Sequence, residues 1–413
     1  MNELLEKARL LKNASKTLGM LSSNEKNEAL EKMADHIQSN KEWIVSENAK
    51  DIETGKKNGL SDSLIDRLSL TNERIEQIVD GVRQLIHLED PIGETIDAWE
   101  RPNGLRIETI RVPLGVIGMV YEARPNVTVD AGSLCLKAGN AVLLRGSSTA
   151  IHSNKALVHT MQEALEGTSI PKDAVQLLED TSRETASEMF KLNQYLDVLI
   201  PRGGAGLIQS VIQNATVPVL ETGVGNCHVY IDESAEEKMA IEIAINAKLH
   251  RPSVCNAAET LLIHEKWPYK SELLRALYDR EVELRGDEGL AVAYPFVQQA
   301  LEEDWHTEYL APILAVKVVS DVKEAIEHID RYGTKHSEAI ISDNEANVHL
   351  FYQSVDAAVL YHNASTRFTD GEQFGYGAEI GISTQKLHAR GPMGIKAITT
   401  TKTIVRGTGQ IRL

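Results

Sequence analysis

The 413-residue chain has only three cysteines, at positions 135, 227 and 255, and no Cys-x-x-Cys pair. An odd, sparse set rules out a disulfide framework and points to a reducing compartment. Positive charge is also scarce, with 43 Lys and Arg against 60 Asp and Glu and a net charge of −17. Nucleic acid or an acidic membrane would repel such a chain, so neither is expected as a partner. A small anionic substrate needs only a local positive pocket and stays open. No apolar run approaches the ~18–20 residues that span a bilayer. Met1-Asn2-Glu3 opens an amphipathic, charged segment rather than a signal peptide, and the expected location is cytoplasmic. The thirteen histidines show no ligand spacing, so no metal is expected. His328 and His336 fall near an expected helix end and its loop, where solvated or capping roles are expected. There is no internal repeat and no low-complexity linker. The dinucleotide fingerprint Gly-x-Gly-x-x-Gly is missing too: Gly204 and Gly206 are followed by Gln209 where the third glycine would stand.

What is present is a cysteine in a polar setting. Cys255 lies in Ala247-Lys248-Leu249-His250-Arg251-Pro252-Ser253-Val254-Cys255-Asn256, just before the strand-like Thr260-Leu261-Leu262-Ile263. Glu221 ends the apolar run Val217-Pro218-Val219-Leu220, upstream of it. A thiol that attacks a carbonyl works as thiolate, and a nearby carboxylate can manage protons. A lone cysteine can equally be inert core, and Cys135, inside Leu134-Cys135-Leu136, reads that way.

The length allows two or three domains. Residues 2–90 read as helices. Leu4, Leu5, Ala8, Leu11, Ala14 and Leu18 recur at helical spacing, and Ser23 with Glu25 and Lys26 reads as the next helix start. Residues 96–108 read as a hairpin turning at Asn103-Gly104. From 116 on, short apolar strands alternate with helices: strands at 116–120, 141–144, 174–178, 196–200 and 217–220, helices at 127–138, 150–166, 182–191 and 204–213. A second alternation runs from 227 to about 390, and 397–405 is strand-like. The pattern predicts an α/β fold of parallel sheets with helices on both faces, whose ligands bind where strands end.

Those strand ends hold the other candidates. Arg145-Gly146-Ser147-Ser148 follows a strand and precedes a helix, which suits a phosphate or ribose as well as it suits a simple cap. Gly203 and Gly204 permit close backbone approach to a pyrophosphate. Asn126 follows the first strand and could donate to an oxyanion, or serve as a turn residue after Pro125.

Taken in order, Val112-Pro113-Leu114-Gly115-Val116-Ile117-Gly118, Asn126, Leu143-Leu144-Arg145-Gly146-Ser147, Glu221-Thr222-Gly223, Val254-Cys255 and Glu308-Tyr309-Leu310-Ala311-Pro312 resemble the aldehyde dehydrogenase superfamily over about 110–405. Within it, Val319, Ala325-Ile326-Glu327-His328-Ile329 and Tyr332-Gly333-Thr334-Lys335-His336-Ser337-Glu338-Ala339-Ile340 resemble the signature of the γ-glutamyl phosphate reductases. Arg124-Pro125-Asn126-Val127-Thr128 and Gly377-Ala378-Glu379-Ile380-Gly381-Ile382-Ser383-Thr384 resemble them as well.

The resemblance implies an aldehyde-dehydrogenase-like fold with two parallel-sheet α/β domains and a small β oligomerisation arm. The cofactor domain is expected at 1–95 and 109–225, the catalytic domain at 226–395, and the arm at 96–108 with 396–413. It implies an oxidoreductase of proline biosynthesis that reduces L-glutamyl 5-phosphate to L-glutamate 5-semialdehyde with NADPH through a thioester on Cys255. Asn126 would hold the oxyanion, and Glu221 is the third catalytic candidate. Arg145, Ser147, Ser148, Gly203, Gly204, Thr222, Gly223 and Glu308 would bind the cofactor, Glu308 through the nicotinamide ribose. Arg145 stands where relatives have lysine, and its fork suits the 2′-phosphate of NADP. The substrate's carboxylate calls for a cation or backbone N–H groups. Arg367, which could instead be a surface ion-pair partner, and Ser383 are the candidates. A homodimer or dimer of dimers is expected, with glutamate 5-kinase a candidate partner. The rival readings are an oxidising aldehyde dehydrogenase, which the residues at 319–340 oppose, and a silent structural relative, which Cys255, Asn126 and Glu221 oppose.

Overall fold

A computed structural model describes residues 2–412. The chain divides into two compact units: residues 1–222, 375–381 and 393–413 form the first, and residues 223–374 and 382–392 the second.

The first unit opens with five helices, α1 (Glu3–Leu18), α2 (Ser23–Ser39), α3 (Lys41–Lys57), α4 (Asp62–Leu68) and α5 (Asn72–His87). Helix α2 starts at Ser23, as expected. Ser22, not Ser23, is the cap, and it exchanges hydrogen bonds with Glu25 in a capping box. Ala29, Leu30, Met33, Ala34 and Ile37 form the buried stripe of α2. The hairpin follows as β1 (Thr95–Glu100) and β2 (Arg106–Pro113), with Gly104 at φ +82 supplying the left-handed turn.

A four-stranded parallel sheet comes next, from β3 (Val116–Tyr121), β4 (Ala141–Arg145), β5 (Val175–Leu177) and β6 (Val198–Arg202), in the order β5-β4-β3-β6. Its helices are α6 (Asn126–Lys137), α7 (Ile151–Leu165), α8 (Arg183–Met189) and α9 (Ala205–Asn214). All six residues of β3 are buried, as expected for a strand covered on both faces. The strand expected at 217–220 reduces to a single bridge, Leu199 to Val219. Pro218 has no N–H to donate, and only its carbonyl and the Leu220 N–H reach Leu199.

The second unit holds a seven-stranded parallel sheet. Its strands are β7 (Cys227–Ile231), β8 (Ala258–His264), β9 (Glu283–Gly286), β10 (Val297–Gln299), β11 (Ile313–Val319), β12 (Ser337–Ile341) and β13 (Val359–His362). Their order is β10-β9-β11-β8-β7-β12-β13. Helices α10 (Glu237–Leu249), α11 (Lys270–Tyr278), α12 (Glu288–Ala293), α13 (Val322–Tyr332) and α14 (Glu345–Ser354) connect them. One core packs Val229, Leu261, Ile263, Trp267 and Leu274 together; another, including Tyr230, Leu262 and Phe351, contains Ala325 and Ile329 of α13. A two-stranded ribbon, β14 (Ile382–Ser383) with β15 (Gly391–Pro392), also belongs to this unit.

His328 and His336 correct the sequence reading. Both are buried, at 4% and 0% exposure. His328 falls three residues after Ala325, so helical spacing extends the apolar face of α13 over it. There it packs against the rings of Trp305, Tyr332 and His228. Strand β16 (Thr399–Arg406) returns to the first unit and pairs antiparallel with β2, giving the three-stranded sheet β1-β2-β16.

Candidate active site

Cys255 is half-buried in the loop between α10 and β8. Its main chain is held from two sides. On one, the buried Cys227 thiol donates to the Cys255 carbonyl at 3.3 Å. Gly225 lies so close that a Cβ there would overlap the same carbonyl. Gly225 donates its N–H to Glu308 Oε1 at 2.7 Å. Asn226 donates its N–H to Thr334 Oγ1 at 2.9 Å and its side-chain amide to the Trp305 and Tyr332 carbonyls.

On the other side, Asn256 Nδ2 donates to the Thr369 carbonyl at 2.8 Å, and Thr366 Oγ1 donates to the Asn256 carbonyl at 2.7 Å. The Thr369 hydroxyl meets Ser337 Oγ at 2.7 Å. That hydroxyl meets His336 Nδ1 at 2.9 Å, and the same ring nitrogen lies 3.6 Å from Cys227 Sγ. A buried polar ring thus runs from Cys255 through Asn256, Thr369, Ser337, His336 and Cys227 back to Cys255. Burial, and then the Glu338 carboxylate, push the Cys227 thiol well above its usual range. Cys227 therefore stays a protonated donor, a support and not a second nucleophile.

Glu308 has its own support. Lys248 and Glu259 form an ion pair with both side chains at 0% exposure. Burial pushes the Glu259 carboxyl up, and the Lys248 ammonium opposes that shift. The second Glu259 oxygen accepts the Leu310 N–H at 3.2 Å, where Leu310 sits at φ +53. Between Glu308 and Leu310, the Tyr309 ring lies 5.9 Å from Lys248 Nζ and 5.2 Å from the Arg285 guanidinium, and its hydroxyl donates to Asp304 Oδ1. A buried ion pair is costly to break, so this loop is tied to β8, the strand that follows the Cys255 loop. Burial raises the pKa of Glu308 as well.

The remaining candidates of this unit lie on nearby turns. Arg367 sits in the short turn Thr366–Phe368, whose N–H groups are organised by Ser365. Gly223 donates to the Ile382 carbonyl at 2.8 Å, and the fully buried Ser383 accepts the Gln385 N–H at 3.4 Å. Cys255, Glu308 and Arg367 are thereby linked through Gly225 and Asn256.

Asn126, Glu221, Thr222, Arg145, Ser147, Ser148, Gly203 and Gly204 belong to the first unit. Asn126 begins α6, and its Nδ2 donates to Asp130 Oδ2 one turn later at 2.9 Å. One amide N–H is spent in fixing the side chain, and the amide carries a second. Burial pushes Asp130 up to about 6, opposed by the Asn126 hydrogen bond and by Arg202. Glu221 is half-buried and follows the Val219 bridge; Thr222 Oγ1 donates to the Pro201 carbonyl at 2.9 Å.

Arg145 ends β4. Its Nη2 donates to the Thr181 carbonyl at 2.6 Å and to Ser182, while its Nε is buried without a partner. Ser147 caps the turn Ser148–Ala150 through the Thr149 N–H. At the glycine turn, Glu122 takes the Gly204 N–H at 2.9 Å, and a Cβ on Gly203 would lie 2.7 Å from that carboxyl.

Sequence reasoning passed over Cys227, Lys248, Glu259, Asp130 and Glu122. Asp130 alone carried a local signal, four residues after Asn126 and so on the same helical face. The others act across contacts that only the folded chain creates.

A model of the aldehyde dehydrogenase family matches residues 2–294. Proteins named γ-glutamyl phosphate reductase from Geobacillus sp. (strain WCH70) and Geobacillus kaustophilus are 74% and 73% identical to it, covering 100% of both chains in each case. A crystal structure of γ-glutamyl phosphate reductase from Thermotoga maritima superposes with a TM-score of 0.98 at 50% identity, again over 100% of each chain. An oxidoreductase by family, the chain belongs to the γ-glutamyl phosphate reductases within the aldehyde dehydrogenases.

Proposed function

We propose that the protein reduces L-glutamyl 5-phosphate to L-glutamate 5-semialdehyde and phosphate, with NADPH, through a thioester on Cys255. The observation that carries this reading is the closed polar ring around the Cys255 main chain, which fixes one half-exposed thiol while keeping Cys227 protonated. A fixed nucleophile gains rate from position alone.

The chemistry follows from the residues. The Cys255 thiolate attacks the C5 carbonyl carbon, and the Asn126 amide N–H left over from Asp130 stabilises the oxyanion. Collapse breaks the carbon–oxygen bond to phosphate and leaves the acyl group on sulfur. Reduction of the thioester by one hydride and expulsion of the thiolate give the aldehyde. Glu221 is the proposed proton carrier for the thiol. Arg367 and Ser383 are the proposed substrate contacts.

When bound, the nicotinamide cofactor supplies the hydride. Arg145 fits its 2′-phosphate, because the buried Nε has no partner within the chain and Ser147 and Ser148 add hydroxyls. Gly203, Gly204, Thr222, Gly223 and Glu308 are the other proposed contacts. Gly204 offers its N–H only if Glu122 gives way.

Incubating the semialdehyde with NADP⁺ and phosphate tests the reading. NADPH formation that requires phosphate supports it, whereas phosphate-independent formation supports an oxidising aldehyde dehydrogenase. Equal or better kcat/KM with NAD⁺ removes the role given to Arg145.

Assembly as a homodimer or dimer of dimers is part of the proposal. Strand β1 is exposed along its whole length, and Ile96, Trp99 and Val405 put apolar surface on the β1-β2-β16 sheet. A monomer by light scattering at micromolar concentration contradicts it. No helix among the described residues is long and apolar enough to cross a membrane; a cytoplasmic location and a hand-over from glutamate 5-kinase remain proposals.

A further inference from the structure

Among the described residues, two arginines on the segments that adjoin Cys255 form no ion pair. Arg251 lies four residues before Cys255, on the same loop. Arg367 lies on the turn that Asn256 grips at both ends, through the Thr366 hydroxyl and the Thr369 carbonyl. That turn also packs against α10, the helix that leads into Arg251. Among the described residues, neither guanidinium makes an ion pair or a side-chain hydrogen bond, although Arg83, Arg111, Arg285 and Arg390 are all paired. The Arg367 Nε is buried and has no partner. Burial, and then the like charge of Arg251, lower the pKa of Arg367; Asp370 and the two thiols Cys255 and Cys227 oppose that shift.

In a chain with a net charge of −17, leaving the half-buried Arg367 unpaired beside a second cation, the exposed Arg251, is unfavourable unless an anion arrives. We infer that Arg251 and Arg367 together form the subsite for the phosphoryl group of the acyl phosphate, and for inorganic phosphate in the reverse direction. This inference rests on the function proposed above.

Two features favour phosphate over the substrate's α-carboxylate. Two guanidinium forks match a dianion, whereas a single carboxylate needs one. The phosphoryl oxygen is also bonded to the carbon that sulfur attacks, so its cations must lie on the segments adjoining Cys255. The α-carboxylate is separated from that carbon by three further carbons. Arg367 thus moves from the amino-acid end, where the sequence suggested it, to the leaving group. As phosphate departs, the paired cations take up the charge that develops on it.

The test uses the full-length enzyme running in reverse, with semialdehyde, NADP⁺ and inorganic phosphate. Arg251→Ala is expected to raise the KM for phosphate about tenfold or more, with the KM for semialdehyde changing less than about twofold. Arg251→Lys should recover part of the loss, because it restores charge without the fork. In a readout independent of turnover, phosphate should slow alkylation of Cys255 by iodoacetamide in the wild type and fail to do so in Arg251→Ala. An unchanged phosphate KM in Arg251→Ala and Arg367→Ala, with wild-type activity intact, overturns this inference alone. A rise confined to the semialdehyde KM assigns the pair to the α-carboxylate and also overturns it. A wild type that forms no NADPH with phosphate removes the functional reading itself.

Discussion

The strand ends of the first unit and the nucleophile loop of the second hold their reactive groups in different ways. In the first unit some supports are local, whereas others reach along the chain, as Glu122 does to Gly204 across 82 positions. Asn126 leans on Asp130 four residues later and Ser147 caps Thr149, while Thr222 reaches back across 21 positions to Pro201. In the second unit the supports come from far along the chain. Cys227 contacts the Cys255 carbonyl, Thr369 contacts Asn256 across 113 positions, and Glu308 contacts Gly225 across 83. A local support can be replaced within its own turn. A ring closed by several strands transmits any displacement to the nucleophile.

The largest effect sharpens this contrast within the ring. Cys255→Ser should lower the reduction rate by about 10⁴-fold or more, because the hydroxyl is not ionised at neutral pH. Cys227→Ser, which keeps a donor to the same carbonyl, should remain active. Comparable losses in both, measured as kcat under saturating substrate, would break the distinction between nucleophile and support.

Next is the buried pair behind Glu308. Lys248→Met leaves Glu259 without its cation and should cost about 3–5 kcal/mol in denaturant unfolding. The double variant Lys248→Met, Glu259→Leu should recover much of that stability. It should not recover activity, because the Leu310 N–H then loses the carboxylate that holds the 308–310 loop on this side. Full recovery of both would reduce the pair to a packing element.

A direct comparison of the two regions follows. Asn126→Ala should cost about 10²–10³-fold in kcat, the usual value of one oxyanion donor. Gly225→Ala, which contributes no reacting group, should still cost about 10²-fold, because its methyl group displaces the Cys255 carbonyl. Near-normal activity in Gly225→Ala shows that the loop yields easily and that the two regions do not differ.

The smallest effect concerns pH. His328 is buried with no hydrogen-bond partner on either ring nitrogen, and burial followed by His228 pushes its pKa from 6.5 to about 2. The folded chain thus keeps His328 neutral where the unfolded chain would protonate it. Stability is fully present above about pH 6.5 and falls by about 1.4 kcal/mol per unit below it. His328→Phe keeps an aromatic ring and removes this loss, so its Tm should fall less than that of the wild type between pH 6 and pH 5. Parallel curves would remove His328 from the account.

The same division decides what could be read from the sequence. The buried strands Val116–Tyr121 and Cys227–Ile231 were legible because a strand covered on both faces is a short apolar run. Strands Glu283–Gly286 and Val297–Gln299 were not, since they are short and charged and amide side chains interrupt their apolar pattern. Motif order pointed to Cys255, Asn126 and Glu221. It could not reveal that Glu122 occupies the Gly204 N–H, or that Lys248 meets Glu259, because neither spacing follows a helical or strand period. His336 was misjudged for the same reason: its neighbour Cys227 is remote in sequence.

The central claim is that Cys255 carries the acyl group. Rapid mixing with L-glutamyl 5-phosphate in the absence of any nicotinamide cofactor tests it, followed by acid quench and peptide mass spectrometry. The account predicts a burst of about one phosphate per chain and a glutamyl thioester on the peptide containing Cys255. Phosphate release with no adduct, or an adduct on Cys227 or Cys135 instead, would contradict it.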